Sequence, residues 1–127
     1  IKLTISIDGD PERNKYIRHG ADSWLLKENL AIVRKELGNK VEVKATTTVQ
    51  ALNTPYLAET GQWIVRELNC NWHTSRLQWP KHLHSNVLPA NILEESIKKI
   101  KKTKMKFLLK ILEKSVEILQ KNGSMFT

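Results

Sequence analysis

Ser6, Asp8 and Gly9 are the residues whose types and spacing first suggest chemistry. The run Lys2 to Ile7 alternates β-branched and polar residues, as a strand does. It stops at Asp8-Gly9-Asp10-Pro11, four residues that each favour a turn. A strand ending in Ser, Asp and Gly sends small polar side chains out of its carboxyl end. In sheets whose strands alternate with helices, ligands sit at that end. The competing reading is an ordinary turn without a ligand.

Other groups carry weaker signals. His82-x-His84, with His73 and Cys70, could be drawn as a zinc site, but there is no second cysteine or tight pair to close it. Trp72 and Trp79 beside Arg76 and Lys81 could stack on bases, although tryptophan more often packs in a core or at its rim. Glu42, Glu59 and Glu67 lack the spacing of a carboxylate pair built for acid–base work. No Ser-His-Asp order, phosphate loop or dinucleotide fingerprint occurs.

The elements that must position these groups follow from periodicity. Asp22 or Ser23 caps a predicted helix with Leu26, Leu30, Val33 and Leu37 on one stripe and Gly38 as its stop. Asn14 to Gly20, before it, reads as irregular. Val41 to Val49 reads as a second strand. Thr54-Pro55 opens a helix with Leu57, Gly61, Ile64 and Leu68 inward, broken at Asn69 to Asn71. Trp72 to Trp79 reads as a third strand. Leu88-Pro89 opens a helix with Leu93, Ile97 and Ile100 inward, and a last helix runs from Met105 to Leu119. Strands separated by helices imply an α/β fold with parallel pairing. Three strands are few for such a sheet, since the average is about five or six. Both this shortage and the start at Ile1 suggest a piece of something longer.

The 127 residues suffice for one domain with a single core, and 40% apolar with 27% charged content is ordinary for a globular chain. The net charge of +8 is uneven. Residues 1–95 hold 12 basic and 11 acidic side chains, whereas residues 96–127 hold 9 lysines against Glu113 and Glu117. A solvated helix face is the default for such a lysine run. The alternative is a surface for nucleic acid or anionic lipid. No apolar run reaches the roughly 20 residues of a membrane helix. Cys70 stands alone, so the chain is expected in a reducing, cytoplasmic compartment.

The ordered series Ile5-Ser6-Ile7-Asp8-Gly9, Tyr16-Ile17-Arg18-x-Gly20, Trp24, Asn29, Thr46-x-Thr48-x-x-x-Leu52-Asn53 with Leu57, Leu77-x-Trp79-Pro80 and Leu88-Pro89 resembles the second half of a radical S-adenosylmethionine enzyme. The resemblance is to the group with a short, twitch-type auxiliary region and covers roughly residues 2–100. It implies a partial (β/α)6 barrel, with this chain supplying strands four to six. It also implies that Ser6 and Asp8 contact the cofactor ribose, through a hydroxyl and a carboxylate that suit a vicinal diol. Arg18 falls where the family meets the methionyl carboxylate, and Thr46 and Thr48 where it lines the cofactor or substrate cavity. Asn53 falls on a polar turn position to which no role is carried over.

The departures are as informative. The three-cysteine cluster motif, the Gly-Gly-Glu type stretch and the auxiliary-cluster cysteines have no counterpart. The expectation is therefore a single domain, a half-barrel over 1–95 with basic helices over 96–127. It would hold no iron–sulfur cluster, bind S-adenosylmethionine weakly and be inactive alone. Its expected partners are the missing first half of the barrel or a second copy of itself. The alternatives are nucleic acid held by Lys98, Lys99, Lys101, Lys102, Lys104 and Lys106, or a non-catalytic role completing another chain's barrel. A second copy is favoured if Leu3, Ile5, Ile7, Val41, Val43 and Ala45 leave an apolar face uncovered.

Overall fold

The computed structural model describes residues 1–77, 79–103, 109, 110 and 113. The expected last helix from Met105 to Leu119 falls almost wholly outside them, as do Lys104 and Lys106. Described are strands β1 (Lys2–Ser6), β2 (Glu42–Val49) and β3 (Asn71–Arg76), and helices α1 (Pro11–Ile17), α2 (Ser23–Leu37), α3 (Leu57–Trp63) and α4 (Ala90–Thr103). The fold is α/β, with a three-stranded parallel sheet in the order β1-β2-β3. Helical connections make this arrangement natural, since parallel neighbours need a crossover.

The chain forms two compact units, one of Ile1–Thr47 with Glu59–Ser75, the other of Thr48–Ala58 with the chain from Arg76. Helix α4 runs unbroken across positions 95 and 96, where the charge density changes, because its apolar stripe continues.

In the first unit, β1 and β2 pair with Leu3 opposite Val43, Ile5 opposite Ala45 and Ser6 opposite Thr46. Side chains alternate across a strand, so these pairs sort the two faces. Ile5, Ile7, Val43 and Ala45 are buried. On the other face Lys2, Thr4, Ser6 and Glu42 are exposed and Lys44 and Thr46 half-buried. Trp72 of β3 is buried, whereas Asn71, His73 and Ser75 are exposed. The uncovered face is thus polar. Of the apolar face expected to drive self-association, Ile5, Ile7, Val43 and Ala45 are buried and Leu3 and Val41 half-buried.

Helix α1 takes in Pro11, read as part of the turn, and Asn14 to Ile17 of the stretch read as irregular. Asp10 caps it, accepting the Arg13 N–H at 3.1 Å, and Pro11 follows in the first turn. With seven residues, of which only Asn14 is buried, it has no apolar stripe for periodicity to reveal. Helix α2 matches its expected span. Asp22 is the cap, Leu30 is buried, and Gly38 ends it at φ 54°. Helix α3 is preceded by a 3-10 turn, Thr54–Tyr56, and continues as a π-helical turn, Ile64–Leu68. Asn69, at φ 48°, closes it where the break was expected. Arg34 of α2 donates to the Leu68 and Asn69 carbonyls, capping that end from outside.

In the second unit, α4 packs on the Thr54–Tyr56 turn with Leu93, Ser96 and Ile100 buried and Ile97 half-buried. Among the described residues no helix is long and apolar enough to cross a membrane.

Candidate functional site

At the carboxyl end of β1, the Asp8-Gly9 turn doubles back into α1. This is possible because Gly9 has no side chain. A Cβ there would lie 2.8 Å from the Arg13 Cβ and 3.1 Å from the Asn14 nitrogen. The tight turn brings the first turn of α1 under the end of the strand. Asn14, 3% exposed, then accepts the Asp8 N–H at 2.9 Å through its Oδ1 and donates through its Nδ2 to Ser23 Oγ at 3.2 Å. Its own carbonyl accepts the Arg18 N–H at 2.7 Å.

Asp8 and Arg18, expected to meet the ribose and the methionyl carboxylate, face each other. Arg18 Nε donates to Asp8 Oδ2 at 2.8 Å. The Asp8 side chain is 6% exposed and that of Arg18 45%. The aspartate is therefore an inner partner, and the guanidinium is the group presented to solvent. A charge-assisted bond at Nε fixes the plane of the fork without using its two terminal nitrogens.

Ser6 and Thr46 are cross-strand neighbours on the open polar face. Thr46 Oγ1 lies 3.4 Å from the Ile5 carbonyl, and Ser6 is exposed. Ser6 and Arg18 line a cleft of about 240 Å³ with Asn14 and Ser23 and with the apolar Ile5 and Leu26. Thr48 belongs to the second unit and is not part of this cluster. Its carbonyl accepts from Asn53 Nδ2 at 2.8 Å, and Asn53 Oδ1 takes the Gln50 N–H at 2.9 Å. The role of Asn53, fully buried, is thus to tie the turn after β2.

Asn14 and Ser23 were not visible as site residues. A lone Asn within a polar heptapeptide and a Ser at a helix start carry no signal apart from the turn that brings them together. Of the other groups weighed, Trp72 is buried in the first unit and Trp79 is 76% exposed in the second. Among the described residues no three His, Cys, Asp or Glu side chains gather as a metal site. Burial pushes the Cys70 thiol up from its usual range, and the nearby Arg34 charge opposes this only in part.

The chain matches no family model, no curated protein and no solved structure.

Proposed function

We propose that this chain forms one wall of a radical S-adenosylmethionine type barrel and carries part of the cofactor's ribose and methionyl contacts. The single observation carrying this reading is that Ser6 and Arg18 share one cleft at the carboxyl end of β1, with Ser6 also on the open polar sheet face. In a (β/α) barrel that face would be the lumen and that end the ligand end. Arg18 holds the anionic methionyl end, Asp8 orients Arg18, the Ser6 hydroxyl meets the ribose, and Thr46 extends the wall.

The residues fit the organic cofactor in part. They do not fit an iron–sulfur cluster, because one half-buried thiol, Cys70, cannot supply its several thiolates. The chain alone is therefore a binding wall without the redox centre, and the remaining strands of the barrel would supply that.

Titration of the chain with S-adenosylmethionine, followed by amide chemical shifts, tests the reading. Expected is weak binding, on the order of 1 mM, because an open shell leaves its hydrogen bonds competing with water. Shifts should concentrate on Ser6, Asp8, Arg18 and Thr46 and vanish in Arg18→Ala. Shifts scattered elsewhere, or none at all, would overturn it.

A further inference from the structure

The buried amide of Asn14 has no place in the reading above, yet this residue joins Asp8, Arg18 and Ser23. Its Oδ1 holds the Asp8 backbone, its Nδ2 reaches Ser23 at the start of α2, and its carbonyl takes the Arg18 N–H. Ser23 is 2% exposed. A buried amide with both ends bonded has one orientation, because flipping it would set a donor against the Asp8 N–H. The order of contacts is continuous: Ser23 orients Asn14, Asn14 places Asp8, and Asp8 fixes Arg18 through Nε.

We infer that Asn14, set by Ser23, is a positioning residue for the Arg18 guanidinium and so determines the affinity of this cleft for an anionic group. This rests on the reading of Arg18 as the contact for the methionyl carboxylate. Asn14 lines the cleft but is 3% exposed, and its bonded amide acts through Asp8 and Arg18. Around metal ligands, outer partners that orient the binding group change affinity by about tenfold or more when removed, and an oriented guanidinium should follow the same scale.

Two substitutions separate positioning from mere stability. Asn14→Ala removes both amide contacts. Asn14→Asp keeps the acceptor for the Asp8 N–H and can accept a hydroxyl proton from Ser23. The full chain is used, with two readouts: affinity for S-adenosylmethionine, and the NMR resonance of the Arg18 Nε–H, which an ion pair shifts and protects from exchange. Asn14→Ala is expected to lose the protected resonance and weaken binding about tenfold. Asn14→Asp should restore the resonance, while its added negative charge on the cleft keeps affinity for a carboxylate low. Ser23→Ala should fall between, because it leaves Asn14 bonded at one end.

An Asn14→Ala chain that is folded by circular dichroism and keeps both the resonance and the affinity overturns the inference. So does an Asn14→Asp chain that is folded but lacks the protected resonance, as Asn14→Ala does. If the unsubstituted chain binds no S-adenosylmethionine, the proposed function fails. The Arg18 resonance still decides for or against Asn14, since that readout needs no ligand.

Discussion

Arg18 donates its Nε–H to the Asp8 carboxylate at 2.8 Å, across a separation of ten residues that spans α1. The pair is asymmetric, with the acid inside and the base half outside. Partial exposure limits its worth, since solvent screens one partner. A double-mutant cycle of Asp8→Asn and Arg18→Gln should give a coupling of about 1 kcal/mol in urea denaturation. A coupling near zero would mean that the two side chains do not hold each other in solution.

Gly9 should tolerate no side chain. Gly9→Ala places a methyl 2.8 Å from the Arg13 Cβ, and neither backbone can retreat without opening the turn. Overpacking of this kind costs about 1–3 kcal/mol. The same variant should lose the protected Arg18 signal, because α1 must shift away from the end of β1. Unchanged stability by chemical denaturation would show that the turn relaxes freely.

Thr47, on β2, ties Ile7, just beyond β1, to Trp72 of β3. It donates its hydroxyl to the Ile7 carbonyl and accepts the Trp72 indole N–H at 2.9 Å. Thr47→Val keeps the shape but leaves that indole donor buried without its acceptor, a loss of about 1–3 kcal/mol. Thr47→Ser retains both bonds and should lose less. Equal losses for the two variants, followed by tryptophan fluorescence in urea, would assign the effect to packing instead.

His84, in the second unit, is held below the usual histidine range by burial and then by the Arg76 charge. The unfolded chain therefore takes up the proton first as pH falls through about 6.5. Its contribution to stability is complete above that pH and declines below it, because the unfolded state then binds more protons. Urea midpoints measured between about pH 7.5 and pH 5.5 should fall, and His84→Asn should flatten part of the slope. An identical slope in that variant would remove His84 as the cause.

Any polyanion binding at α4 should depend on Lys98, Lys101 and Lys102, which are exposed opposite the buried Leu93, Ser96 and Ile100. Lys99 is drawn back, 5.9 Å from the Tyr56 ring centroid and 3.4 Å from the Pro55 carbonyl. Replacing the first three by Ala should lower the salt slope on duplex DNA by about 0.9 for each phosphate no longer neutralised. Lys99→Ala should affect stability more than binding. A slope that survives the triple substitution would place the binding elsewhere.

The sequence by itself determined the alternation of strands and helices, the stripe of α2 and the buried positions Leu57, Gly61, Ile64 and Leu68. These signals are local, because period and capping are set within a few residues. It also marked Ser6, Asp8 and Arg18 as residues of interest. Tertiary structure decided what they do. Burial made Asp8 the inner partner of Arg18, and the Gly9 turn brought Asn14 and Ser23 beneath the pair. It also decided which face of the sheet stays open. Alternation sorts residues onto two faces but does not say which is covered, and here the covered face is the apolar one. Helix α1 escaped a periodic reading because its one inward residue is an asparagine, whose burial depends on hydrogen bonds from Asp8 and to Ser23, six and nine residues away.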